Sequence, residues 1–569
     1  MKLVRRLPIP ALFCALAVLV CELVSRPYAE MGVGDDWPYI VMVQKLAATG
    51  HVVYNGWGAP MLVWQLYLGA AFIKLFGFSL TTVRMSTLLV AVAVAFILQR
   101  TLVRADISER NATIGTLALV LSPLYLMLSV TFETDIQGLF AIVLCLYGCL
   151  RALQAATSRA TIAWLCFAVI TNAICGTSRQ VAWLGILAMV PSALWLLRAQ
   201  RRVLFAGAAA TLAGALFVFG CMRWFQHQPY FIPAPFVVST FPVRQILWQL
   251  IDSFLDVPFL LLPIAALFLP QIRKSRPRAI AAMFLGYLLV AVHPHHVGHI
   301  FLLEPTQGEF INVYGLSIPV LQGLPPLFLD TGAQVLLTIA SFGGLLGLIA
   351  LLLRSRGTPP AVDSSAGVSW KQLGTLLAPF TIIYTLLLIP VGVIYAIHDR
   401  YLLVLLVVAL PCLLRYYQER IQPRLPLASI VLVGIMAIYG IATTHNTFAL
   451  DRARVAMAAE LRAAGVPDTS VDNGWEYNLG VELQHSDFIN DSRIVLPAHA
   501  YVPAPPPTAS TCPMLYFDRT PHVKPRYSVS FDPNACDGPA PFAPVSYSRW
   551  LASKSGTIYL VRSTAPPRP

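Results

Sequence analysis

Two acids stand side by side at Asp35 and Asp36, in MGVGDDWPYI, residues 31–40, just after a hydrophobic run of membrane length. Adjacent carboxylates repel each other and resist burial. Capping is their ordinary use: Asp36 reads as an N-cap with Trp37 and Pro38 in the first turn, and Asp35 as its solvated neighbour. More acids follow in FETD (Glu133, Asp135), an arginine in GTSRQVAW (Arg179), and a mixed set in HDRYLLVLL (His398, Arg400, Tyr401). A carboxylate raised in pKa by a like charge and partial dehydration works as a general base near neutral pH. Guanidinium stays charged and binds oxyanions through paired hydrogen bonds. Together these types suit a hydroxyl being deprotonated beside a phosphate-bearing ligand.

The elements that must position them are membrane helices. The chain has 569 residues, 57% hydrophobic and 12% charged, about half the charged share of a soluble protein. Apolar runs recur from residue 8 to residue 443 without period-2 alternation, which predicts helices rather than a barrel. Thirteen spans are expected: 8–28, 79–99, 111–129, 136–154, 160–177, 180–198, 203–222, 253–270, 279–297, 331–353, 372–394, 401–417 and 425–443. The first is a span or a signal peptide; either way residue 30 emerges across the membrane. With the N-terminus inside, the inner segments hold 21 Lys and Arg against eight on the other side up to residue 443, as the positive-inside rule requires. Asp35, Glu133, Arg179 and Arg400 then share one outer face.

The same threading excludes two classes. Residues 444–569 hold 11 basic and 11 acidic residues, so the net +13 belongs to the membrane part. Topology and contact with anionic membrane lipids account for it, and no nucleic acid is needed. The span interiors carry almost no ionisable groups apart from Glu22, unlike a proton- or ion-coupled transporter.

Between residues 29 and 78, two apolar helices are expected to lie along the outer surface, one from Asp36 and one across APMLVWQLYLGAAFIKLFGFS. HPHHVGH, 293–299, is a metal site or a polar helix end lining a cavity. Loop 298–330 is a lid or a passive interfacial loop. The tail, 444–569, reads as a small extracytoplasmic α/β domain: a helix over ALDRARVAMAAELRAAGVP, then strands at SVDNGWEYN, SRIVL, MLYFD, YSVSF and GTIYLVR. An outside tail permits a disulfide between Cys512 and Cys536.

The order and sidedness of these motifs resemble the GT-C superfamily of membrane glycosyltransferases, in its protein mannosyltransferase and aminoarabinose transferase branch. The matching stretches are the first-loop Asp35 and Asp36, LFGFSLTTVR at 75–84, FETD at 132–135 and HDRYLLVLL at 398–406. Asp36 replaces the family's common Glu, and a lysine carried by some members is absent where WGAP stands at 57–60. The resemblance, over about residues 1–420, implies transfer of a sugar from a polyprenyl-phosphate donor to a glycan, lipid or protein acceptor. It also implies a bacterial inner membrane. Asp35 is the expected base with Asp36 beside it, and Arg179 and Arg400 the phosphate partners. His398 and Tyr401 stand at the leaving phosphate. Glu133 and Asp135 orient substrate or, with Asp35, hold a divalent metal, which the lack of a DxD motif leaves open. The alternative is a transporter or flippase for a lipid-linked glycan, which would tolerate loss of the acids.

Overall fold

A computed structural model describes residues 8–233, 256–274, 311–354, 367–394, 397–503 and 512–563, with scattered positions between 243 and 285. The chain is a polytopic helical membrane protein carrying a small C-terminal sheet. Among the described residues eight helices are long and apolar enough to cross a membrane, and a ninth if a bent pair is one span. Their outward faces are apolar, as in Phe205, Leu212, Leu216 and Phe219 of one helix, each more than 60% exposed.

The thirteen expected spans are not confirmed, for local reasons. Run 8–28 forms a 17-residue helix, α1 (Ile9–Ser25). Run 111–129 splits into α5 (Glu109–Val120) and α6 (Pro123–Ser129), bent by 69°. Pro123 has no N–H to continue the ladder, and the Ser122 hydroxyl caps the new start. Run 180–198 breaks into a 3₁₀ turn (Gln180–Trp183), a π turn (Gly185–Met189) and α9 (Val190–Leu196). The Asn172 side chain, from α8 (Ser158–Cys175), inserts there, donating to Ala182 O and accepting from Ile186 N. Run 279–297 and the His293–His299 cluster lie outside the continuously described residues.

Both surface helices are present: α2 (Asp36–Thr49) and α3 (Val63–Phe76). Gly50 closes α2 in the left-handed region at φ 77°. They pack on α4 (Leu80–Arg104) beside α7 (Asp135–Leu153) and α8. Then follow α10 (Arg201–Phe225), α11 (Thr331–Arg354), α12 (Trp370–Ile394), α13 (Leu402–Arg420) and α14 (Leu427–Ala463). Loops assigned to the inner side meet at one end of the bundle, where Arg415 pairs with Glu419 and faces Asp106 at 3.9 Å. The acids of FETD and the first loop meet at the other.

The 37-residue α14 runs straight through the expected boundary at 443/444. The tail helix expected from Ala449 is therefore the continuation of the last membrane run. Its C-terminal half buries Met457 and Leu461 against a four-stranded sheet of order β3-β4-β6-β5. In it β3 (Val471–Asp472) runs parallel to β4 (Tyr527–Ser530), and β6 (Gly556–Arg562) lies antiparallel to β4 and β5 (Val545–Tyr547). YSVSF and GTIYLVR form strands as expected. SVDNGWEYN gives only β3 before turning into α15 (Trp475–Ser486), and SRIVL and MLYFD form no strand. Cys512 and Cys536 are disulfide-bonded. Loop residues 311–330 form a two-residue hairpin, β1 (Ile311–Asn312) with β2 (Gly315–Leu316), then pair Gln322 with Ser530 at the sheet.

Candidate active site

Arg400 is the centre of the polar end of the bundle. It leaves the 3₁₀ turn Asp399–Tyr401 at the head of α13. Asp399 is buried and fixes that turn, accepting from Arg400 N at 2.7 Å and Ile311 N at 2.9 Å. The Arg400 guanidinium meets Glu133 at 2.9 Å, Asp35 at 3.3 Å and Asp135 at 3.8 Å. Asp135 also pairs with Arg179. The Tyr401 ring lies 4.9 Å from the Arg179 guanidinium and 5.7 Å from that of Arg400. Six of the eight sequence-predicted residues, Asp35, Glu133, Asp135, Arg179, Arg400 and Tyr401, thus form one cluster. His398 stands beside it, its ring edge-on to Tyr401 at 5.2 Å.

Each member is held by short-range structure. Glu133 lies between α6 and α7, where Gln65 of α3 donates to the carbonyls of Phe132 (2.8 Å) and Glu133 (3.2 Å). Its Oε1 accepts from the Asp35 backbone N–H at 2.7 Å. Asp135 is the first residue of α7, where the helix dipole favours an anion. Three residues on, Gly138 makes room for Arg179: a Cβ there would lie 3.1 Å from Arg179 Cδ. Arg179 sits just before the broken helix 180–196.

Asp36 departs from expectation. It is the first residue of α2 rather than its cap, and Asp35 holds the cap position without a side-chain cap bond. The Asp36 carboxylate is fully buried and turned from the cluster, paired with Arg84 at 2.7 Å and accepting from Val33 N at 2.9 Å. Arg84 also donates to the carbonyls of Ala29 and Met31. Asp36 is thus a structural anchor, because a buried guanidinium claims it.

The three remaining carboxyls are not equivalent. Asp35 keeps 28% of its side-chain surface, against 2% for Glu133 and Asp135, so it is the one presented to an incoming group. Burial drives the Glu133 carboxyl well above the ordinary range, with Asp35 and Asp135 adding to this and Arg400 opposing it. Among the described residues no group of three or more His, Cys, Asp or Glu is arranged to hold a metal ion.

Sequence reasoning missed Trp57 as a member. Its indole N–H donates to Asp35 Oδ1 at 3.2 Å. Tyr384 was missed too; its hydroxyl donates to Tyr401 O at 2.8 Å. Behind the arginines lies a small cavity with room for about one water. Asp135, Arg179, Arg400 and Tyr384 form its polar lining, and Leu139, Ile142, Val181, Leu403 and Val404 its apolar one.

The class these features define is a helical membrane protein with a carboxylate–arginine cluster at the end of the bundle that meets the C-terminal domain. No family model and no curated protein matches the chain. Among solved structures it is similar to ArnT from Cupriavidus metallidurans in the apo state, with 16% identity, 80% of each chain covered and a TM-score of 0.41. The same protein bound to undecaprenyl phosphate gives 15% identity, 98% and 99% coverage and 0.40. The Saccharomyces cerevisiae protein O-mannosyltransferase Pmt1-Pmt2 complex bound to the sugar donor gives 16% identity, 38% and 32% coverage and 0.33.

Proposed function

We propose that this chain transfers a sugar from a polyprenyl-phosphate donor to an acceptor hydroxyl at the outer membrane face, as a GT-C-type glycosyltransferase. One observation carries the reading. Arg400 joins a partly open carboxylate, Asp35, to a second guanidinium, Arg179, across Asp135, with the aliphatic side chains of Leu139, Leu403 and Val404 beside them. A phosphate on an isoprenoid tail has that polarity profile. Guanidinium at the head suits the oxyanion and aliphatic groups suit the chain.

Asp35 removes the acceptor proton. The acceptor oxygen forms its bond to the anomeric carbon as the bond from that carbon to the phosphate oxygen breaks. The electron pair leaves with the polyprenyl phosphate, and Arg400 and Arg179 stabilise the added charge. Arg400 is shared among three carboxylates. A phosphate that draws its guanidinium away loosens its hold on Asp35, so donor binding frees the base.

The test is transfer by the purified protein in lipid nanodiscs. A panel of polyprenyl-phosphate sugars is supplied with envelope glycolipid, and released polyprenyl phosphate and product are read by mass spectrometry. Turnover lost in Asp35→Asn with donor binding retained supports the reading. Donor bound and flipped but never cleaved by the wild type overturns it in favour of a carrier.

A further inference from the structure

The C-terminal domain reaches the reactive carboxylate through Trp57. Trp57 donates to Asp35 Oδ1 at 3.2 Å. Its ring stacks on Trp475, the first residue of α15, at 5.7 Å and 21°. Tyr516 stands edge-on to Trp57 at 5.9 Å and to Trp475 at 5.8 Å, and the Arg519 guanidinium lies 5.4 Å from the Trp57 ring. Trp37 of α2 packs on the Trp57 ring at 5.6 Å, tilted by 55°. Only Trp57 and Trp37 belong to the first loop; the rest come from the domain.

Trp475 is itself fixed. It lies between Gly474, at φ 84°, and Glu476, which binds Arg454 at 3.2 Å. Arg454 belongs to α14 and also holds Asp451 at 2.8 Å and the Asn473 side chain. A Cβ at Gly474 would come within 2.6 Å of Arg454 Nη2, so the turn that aims Trp475 is closed tightly around that arginine. A chain of contacts thus runs from α14 through Arg454, Glu476, Trp475 and Trp57 to Asp35.

We infer that Trp475 is a positioning residue, through which the C-terminal domain holds the Trp57 indole against Asp35 and so fixes the orientation of the base toward the acceptor. The catalytic half of this statement rests on the proposed transferase reading; the mechanical half does not. The indole holds Asp35 Oδ1 while Arg400 donates to Oδ2 at 3.3 Å, so the two bonds together set the direction of the carboxylate. Without the stack, Trp57 is free to turn and Asp35 loses its fixed direction. A base misplaced by about 1 Å costs up to about 10²-fold in rate.

The experiment uses the full chain in nanodiscs with Trp475→Ala, Trp475→Phe and Trp57→Phe. The first readout is carbodiimide-driven amidation of Asp35, followed by peptide mass spectrometry, which needs no turnover. The second is kcat and KM for transfer. Trp475→Ala is expected to speed Asp35 labelling and to lower kcat about 10- to 100-fold at unchanged donor KM. Trp475→Phe should restore most of both. Trp475→Ala in the Trp57→Phe background should add little, since the donor is already gone. Unchanged Asp35 labelling in Trp475→Ala overturns the contact chain, whatever the turnover. Faster labelling at unaltered kcat overturns the positioning role. A wild type that cleaves no polyprenyl-phosphate donor overturns the transferase reading and the catalytic half with it, while labelling still decides the mechanical half.

Discussion

Arg84 reaches Asp36 through its Nε at 2.7 Å with neither side chain exposed to solvent. The pair ties the first turns of α4 to the start of α2, one residue from Asp35. Removing one partner of a buried ion pair leaves the other charge uncompensated, at about 3–5 kcal/mol. Asp36→Asn should therefore lower thermal stability sharply, whereas its position as a cap would have made it mild. Thermal unfolding in detergent checks this, and Asp36→Leu with Arg84→Met should recover part of the loss.

Asp35→Asn is expected to act on chemistry alone. Its side chain is partly open and the fold around it rests on Asp36, Gln65 and Asp399. Loss of general-base help should cut kcat about 10²- to 10⁴-fold, with unfolding temperature and polyprenyl-phosphate affinity near wild type. Turnover near wild type would move the base assignment to Glu133 or Asp135.

Arg179 and Arg400 should separate in their effects. Arg179 pairs with Asp135 only among the cluster's acids, while Arg400 spans three carboxylates. Arg179→Gln removes a charge-assisted contact of about 1.5–3 kcal/mol, raising the donor Kd about 10- to 100-fold with the fold kept. Arg400→Gln leaves three acids facing one another, so it should weaken donor binding and also destabilise the protein. Donor titration and thermal unfolding of both variants distinguish the two patterns.

Glu476 gives a pH signature in the C-terminal domain. Burial lifts its carboxyl to about 7, against the opposing pull of Arg454. Between its ordinary value of 4.5 and about 7 the folded chain holds more of this proton than the unfolded chain does. Stability from this group is therefore fully present below pH ~4.5 and is lost as pH rises to ~7, by about 3 kcal/mol. Glu476→Gln should flatten that slope in thermal unfolding scanned from pH 5 to 8.

The site was legible because its members are polar residues at the ends of apolar runs. Asp35, Glu133, Asp135, Arg179 and Arg400 fell on one side once basic loops fixed the threading. The Asp36–Arg84 pair was not legible, because Asp36 read as a helix cap and Arg84, 48 positions on, as one more outer basic residue. Trp57 stood in WGAP with no role assigned and Trp475 in SVDNGWEYN, read as a strand, and nothing local told that they stack on each other. The break at 180–196 is imposed by Asn172 from another helix, so run 180–198 alone reads as a plain span. SRIVL and MLYFD have strand composition but find no partner strand, and composition alone does not form a ladder. The fold's helical class followed from hydropathy; the number of spans did not, since a proline or an inserted side chain splits a run without changing its hydropathy.

The unbroken α14 gives the C-terminal domain a rotational phase relative to the membrane. A helix turns about 100° and rises 1.5 Å for each residue, and nothing between Leu427 and Ala463 interrupts it. One residue inserted near Thr444 would swing Trp475 around the helix axis and off Trp57, although no side chain of either had changed. Seven inserted residues, about two turns, would restore the bearing but lift the domain about 10 Å. The spacing of this shaft is thus as much a part of the site's register as the residues that line it, and insertions and deletions along it should be read as angular errors rather than as changes in length.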